Sequence, residues 1–445
     1  MEFGQEPARY PGPLSARMLE ELGKYVIAEP YPFVVDLENS EGMYLATVDA
    51  QRLFDWAGYF GSKLIGHNHP RLYEPEYVKR LVLAANNKVA NPDFLTPECL
   101  EYYRLLYRLA PESMKSSTLE VYAVNSGAEA VENMMKYLVA KFGAKRRAEG
   151  KSLTNRRFLY FDQGFHGRTV FALSVTQTID PVATKDFHGL TTVGNVKLPF
   201  PAVNTSESIE ENRRRTEDAL RIVELTLQQM KDEIIGIIIE PIQGAGGQRV
   251  AQPHFFRGLS QLAHQYDVYL AFDEVQTSLG PTGKLFAIDH YDLPYPPMAV
   301  AVGKKFGVGA VYMREPLEDV GVLDSTWGGT LADMVRVVQE VKILEEENLI
   351  AHAAQNGEYL AEELRELANL PNSPITNVRG MGLYQGFSLK EPANKGRLIG
   401  IAREKYDLLL LGAGSDAIRT RPNLSVTKDD IDRFLGILRQ ALGEI

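Results

Sequence analysis

The segment Ala301-Val302-Gly303-Lys304-Lys305-Phe306 ends an apolar run on a small residue followed by an amine. About one βα unit upstream, Phe272-Asp273-Glu274-Val275-Gln276 ends a second apolar run on a carboxylate. A lysine amine condenses with an aldehyde to a Schiff base. A carboxylate keeps a pyridine nitrogen protonated, so that the ring accepts electrons. Together these are the needs of pyridoxal 5'-phosphate (PLP), which makes Lys304 and Asp273 the candidate catalytic residues. An acid at the end of an apolar strand is costly unless paired, and a pyridinium is a natural partner for Asp273. Gln276 lies one turn further on and reaches the ring's phenolic oxygen in such a pose.

Other segments offer complementary chemistry. In Asn125-Ser126-Gly127-Ala128-Glu129, Ser126 and Glu129 have capping-box spacing ahead of an amphipathic stretch. The unpaired N–H groups of that helix start suit a phosphate, and Gly127 permits close approach. Gln163-Gly164-Phe165-His166-Gly167-Arg168-Thr169 follows a strand, where open α/β sheets bind ligands. Phe165 suits stacking on a planar ring, and Arg168 suits a carboxylate fork. Ile237 to Gly247 repeats the design: a buried strand ends on Glu240, and Gln243 follows before a glycine-rich turn. Glu240 and Gln243 are therefore candidate substrate-binding residues. No metal site is expected, because His67 and His69 flank a turn without a third ligand at sensible spacing. Gly280 to Lys284 lacks P-loop spacing.

The elements that must position these residues are legible as short apolar runs at 158–161, 234–239, 268–272 and 298–302, the pattern of a parallel sheet covered on both faces. Helical patterns lie between them. Ala128 to Phe142 is the clearest, with Val131, Met134, Met135, Leu138, Val139 and Phe142 on one stripe. Residues 80–334 thus read as a large α/β domain. The flanks, 1–79 and 335–445, read as two parts of a smaller α+β domain, with an antiparallel element near 32–49, a strand near 382–387 and a final amphipathic helix.

Of the 445 residues 44% are hydrophobic and 24% charged, which excludes a disordered chain. A formal net charge of -10 without a basic stripe argues against a nucleic-acid partner. The one cysteine, Cys99, excludes an intramolecular disulfide. No apolar run approaches bilayer length and none forms a signal-peptide core, so a cytoplasmic protein without membrane partners is expected.

The motifs at Ser126–Ala130, Gly164–Arg168, Glu240–Gly244, Asp273–Thr277 and Gly303-Lys304 occur in the order found in class III (ornithine/ω-amino-acid type) aminotransferases, and the chain resembles that family over roughly residues 30 to 440. Around Gly303-Lys304-Lys305 and Ser325 to Gly329 it looks most like the L-lysine 6-aminotransferases. The resemblance implies PLP fold type I and a homodimer with shared active sites. The substrates it implies are a small-molecule amino donor and a keto acid acceptor, best L-lysine and 2-oxoglutarate, in a ping-pong cycle. It assigns Lys304 to the Schiff base, Asp273 to the pyridine nitrogen, Gln276 to the phenolic oxygen and Phe165 to the ring face. Ser126, Gly127 and Ala128 go to the phosphate, which Thr326 also reaches from the neighbouring subunit. Arg168 would take a donor carboxylate and Arg419 the α-carboxylate of 2-oxoglutarate. Many relatives that use 2-oxoglutarate have a glutamate where this chain has Ala245, paired with the arginine matching Arg419. Asn423 stands where a second proline is common.

Overall fold

The computed structural model describes residues 9–177 and 194–445. Near the N-terminus, β1 (Val35–Glu41), β2 (Tyr44–Thr47) and β3 (Arg52–Asp55) form an antiparallel meander. The central sheet follows, with β4 (Glu120–Val124), β5 (Arg157–Phe161), β6 (Val196–Leu198) and β7 (Ile234–Ile239). A short hairpin, β8 (Ile242–Gln243) and β9 (Arg249–Val250), precedes β10 (Tyr269–Asp273), β11 (Ala299–Val302) and β12 (Gly309–Met313). The seven central strands lie in the order β4-β12-β11-β10-β7-β5-β6. All neighbours are parallel except those of β12, which runs against both β11 and β4.

Alternation within the apolar runs sends side chains to opposite faces of this sheet. Ile235, Ile238, Ala271, Ala299 and Ala301 pack with the helix Gly127–Ala148 through Val131, Met134, Met135 and Leu138. On the other face Ile237, Ile239, Phe272, Val300 and Val302 meet Phe255, Phe256 and Leu259 of the helix Pro253–Gln265. Every residue of β7 is buried. Truncating one of its isoleucines to alanine is expected to cost about 2–5 kcal/mol.

The four expected strands are present, with ends shifted by a residue at most. Three others were not anticipated. β4 and β6 are short and interrupted by Glu120, Tyr122 and Lys197, so neither offers a continuous apolar run. β12 is fully buried but begins on Gly309, two residues after Gly307, where a turn is the natural reading. The helix Gly127–Ala148 extends six residues beyond Phe142, with Lys145, Arg146 and Arg147 favourably placed at its negative end.

The chain ends come together. β13 (Ile375–Met381), β14 (Tyr384–Leu389), β16 (Leu411–Ala413) and β17 (Ala417–Arg419) form an antiparallel sheet, while β15 (Leu408–Leu409) pairs in parallel with β3. Trp56, fully buried, stacks on Phe434 of the terminal helix Lys428–Leu442 at 3.8 Å. Asn423 has a structural use that proline lacks: its amide donates to the carbonyl of Gly42 at 3.3 Å and accepts from Ser425 N–H at 3.0 Å. Packing at the two ends thus fixes where Arg419 emerges.

Candidate active site

β10 and β11 are neighbours in register, with Asp273 opposite Ala301, so both chemical residues leave the sheet at its carboxyl edge. There the start of helix Gly127–Ala148 meets them. A Cβ on Gly303 would lie 2.9 Å from Gly127 Cα, and one on Gly127 would lie 2.6 Å from Val275 Cγ1. Glycine at both positions lets backbone approach backbone and leaves the helix N-terminus open. Ser126 caps it by accepting from Glu129 N–H at 3.2 Å, but the expected reciprocal bond is displaced: the Glu129 carboxylate takes Asn125 N–H at 2.6 Å.

A cavity of about 500 Å³ opens at this junction. Gly127, Ala128, Phe165, Arg168, Glu240, Asp273, Gln276, Lys304 and Arg419 all line it, joined by Phe60, His166 and Ala245. Of the expected residues, three do not. Ser126 stands behind the helix start as its cap. Thr326 is exposed and lies outside the cavity of its own chain. Gln243 is a correction. Its amide N–H donates to Asp162 O at 2.8 Å and its oxygen accepts from Arg249 at 2.7 Å, so the side chain ties the β8–β9 hairpin to the strand end of β5 instead of meeting a ligand.

Lys304 has φ of 51°, a left-handed conformation unusual for lysine. Its Nζ donates to Phe60 O at 2.8 Å. Burial, then the Arg419 and Arg421 guanidiniums, push this amine down to about 8, against the pull of Asp273 and Glu240. Asp273 is 5% exposed; one carboxylate oxygen meets His166 Nδ1 at 2.8 Å and the other accepts from Val275 N–H at 3.0 Å. Burial opposes charge on His166, yet the hydrogen bond and charge of Asp273, with Glu240, outweigh it and raise its pKa. Glu240 accepts from Phe165 N–H at 2.9 Å. Burial is the largest cause that lifts it to about 7; His166 opposes and Asp273 adds to the rise.

Arg419 brings open hydrogen-bond donors to the cavity. It is buried, and its Nε and Nη1 have no hydrogen-bond partner among the described residues. Ala245 on the same cavity wall offers it none. A buried guanidinium with open donors is a receptor for a carboxylate.

This donor set fits PLP: a depressed amine, a buried carboxylate held by histidine, and an open helix N-terminus cleared by two glycines. His166 was not singled out from the sequence, although it stands beside Phe165; its link to Asp273, 107 positions away, leaves no local signal. Phe60 carries no sequence signal of any kind.

The family model for class-III aminotransferases matches residues 26–442. The chain belongs to the class-III aminotransferases. As a class-III aminotransferase it is a PLP-dependent transaminase of fold type I. It is 31% identical to an L-lysine-epsilon aminotransferase of Mycobacterium tuberculosis over 96% of this chain and 95% of that protein. With the L-lysine-epsilon aminotransferase of Amycolatopsis lactamdurans it shares 30% identity, over 98% of each. The solved lysine aminotransferase from M. tuberculosis in the internal aldimine form superposes with a TM-score of 0.89 at 30% identity, covering 97% of this chain and 99% of that one. An ornithine aminotransferase of Toxoplasma gondii, 20% identical with a TM-score of 0.79 over 97% and 95%, shares the fold.

Proposed function

We propose that this class-III aminotransferase moves the terminal amine of an ω-amino acid, best L-lysine through its 6-amino group, to 2-oxoglutarate by a ping-pong cycle. The observation behind it is the single cavity that presents Lys304, Asp273 and two guanidiniums, Arg168 and Arg419, to one ligand. When bound, PLP supplies an aldehyde that captures the amine and a pyridine ring that accepts electrons. The chain's own residues do the rest. Asp273, fixed by His166, holds the proton of the pyridine nitrogen. Gly127 and Ala128 receive the phosphate, Phe165 covers the ring, and Gln276 faces the phenolic oxygen. With its amine pushed down to about 8, a usable fraction of Lys304 is neutral at physiological pH, so its Nζ can take the proton from the amine-bearing carbon of the donor. Arg168 orients the donor carboxylate, and Arg419 the α-carboxylate of the acceptor.

The exposed Thr326 is suited to reaching the phosphate of a second copy, which makes a homodimer part of the proposal. Residues 80–334 then form the cofactor-holding domain, and 1–79 with 335–445 the smaller one. Pairing of β3 with β15 supports that division.

A second reading is favoured by the open Arg419 beside Ala245. With Ala245 in place of an acid and no carboxylate hydrogen-bonded to its Nε or Nη1 among the described residues, Arg419 accepts a donor α-carboxylate as readily as an acceptor's, which suits α-amino donors or an aminomutase or racemase on the same scaffold. The deciding experiment mixes the PLP form with lysine, ornithine, 4-aminobutyrate, β-alanine and α-amino acids and follows conversion to the pyridoxamine form. Lysine is expected to convert it. Absence of conversion by lysine, with conversion by an α-amino acid, overturns the first reading in favour of the second.

A further inference from the structure

We propose that Arg421 and Lys305, two buried cations behind the cavity wall, are positioning residues that hold Gln276 with its amide nitrogen turned toward the cavity. The inference rests on the cofactor pose above, which places the phenolic oxygen on that side. Arg421 is fully buried, and its Nη2 donates to Gln276 Oε1 at 2.9 Å and to Gln248 Oε1. A guanidinium only donates, so the atom of the Gln276 amide that faces it is the oxygen. The NH2 group therefore points the other way, and among the described residues it has no hydrogen-bond partner. Gly244 makes the room: a Cβ there would lie 1.6 Å from Gln276 Oε1.

Lys305 fixes the other end of the same residue. Its Nζ donates to the Gln276 carbonyl at 2.7 Å, to Gly61 O at 3.1 Å and to the Tyr384 hydroxyl at 3.1 Å. Tyr384 is shared by both cations. The Arg421 guanidinium lies 4.0 Å from its ring centroid and the Lys305 amine 5.2 Å. Neither cation has a carboxylate partner among the described residues. Their charge is met by amide and carbonyl oxygens and an aromatic face, so losing one acceptor leaves a buried donor unsatisfied. Backbone and side chain of Gln276 are thus gripped separately, one by the residue after Lys304 and one by the C-terminal segment.

The test compares Gln276→Glu with Gln276→Met, each with Arg421 intact and in an Arg421→Met background. In the apoprotein, Gln276→Glu keeps an acceptor for the guanidinium and is expected to hold its melting temperature. Gln276→Met is expected to lose several degrees, and the difference should vanish with Arg421→Met. Equal losses with Arg421 intact overturn the clamp. Should Arg421→Met fail to fold, the two single variants still decide, and Lys305→Met provides the partner comparison. In the PLP-loaded protein, the pH transition of cofactor absorbance should move in the same direction in Gln276→Met and Arg421→Met, with no further shift in the double variant. A shift in Gln276→Met alone overturns the positioning role. If Gln276→Met leaves the transition unmoved, the cofactor pose of Gln276 fails, and the positioning role that rests on it is overturned.

Discussion

The depressed amine of Lys304 is the property on which the chemistry depends, and it is open to direct measurement. A fall from 10.5 to about 8 raises the neutral fraction at pH 7.4 from about one in a thousand to about one in five. The displacement corresponds to roughly 3 kcal/mol, most of it from burial and the remainder from Arg419 and Arg421. Competitive labelling of the apoprotein with acetic anhydride between pH 6 and 11, read by mass spectrometry of the Lys304 peptide, should give a midpoint near 8. Arg419→Gln removes one of the opposing cations and should move that midpoint upward, lowering the labelling rate at pH 7.4 several-fold. The same displacement sets a sign for stability. Between pH 8 and 10.5 the unfolded chain holds the Lys304 proton while the folded chain has released it, so apoprotein stability rises with pH across that window. Lys304→Met should therefore be the more stable apoprotein below pH 8, by up to about 3 kcal/mol, with the gap closing toward pH 10.5. A labelling midpoint at or above 10, unmoved by Arg419→Gln, would refute the electrostatic account.

Other outcomes follow from the same geometry. Arg419→Met should raise KM for 2-oxoglutarate by about 30-fold or more, the scale of losing a buried charge-assisted pair, while a monocarboxylate acceptor lacking the α-keto-acid carboxylate is unaffected; steady-state kinetics with both measures this. Glu240, held near 7 when folded, binds its proton more tightly than in the unfolded chain, so stability falls as pH rises from 4.5 to 7. Glu240→Gln should remove that slope in melting curves taken across the range. Gly127→Ala would set a methyl 2.6 Å from Val275 Cγ1 and close the phosphate cradle; fluorescence titration should show PLP affinity at least tenfold weaker, with partial recovery in Gly127→Ala/Val275→Ala.

The chemistry-bearing residues were legible because this fold puts them at strand ends, where an apolar run stops on a charged residue. That signal located Glu240, Asp273 and Lys304, and local glycine patterns located Gly127 and Phe165. It misled at Gln243, where a polar side chain after a strand end serves a hairpin, since sequence gives no sign of Asp162 and Arg249 arriving from elsewhere. Contacts of long sequence separation were invisible for the same reason: His166 to Asp273, Lys304 to Phe60, and Arg421 to Gln276 each join segments more than a hundred positions apart. Short strands such as Val196–Leu198 gain their stability from neighbours in the sheet, so their own residues need not announce them.

The union of the two chain ends has a consequence for biosynthesis. Gly66 bonds to Ser425 across 359 positions, and Arg421 N–H bonds to Trp56 O at 2.9 Å. A ribosome needs on the order of 20–70 s to synthesise the intervening stretch. For most of that interval the first 66 residues have left the exit tunnel with their apolar side chains, Trp56 among them, lacking the tail that buries them. The nascent protein is thus a natural client for chaperones until translation ends, and a nonsense codon between positions 67 and 420 leaves it permanently in that condition.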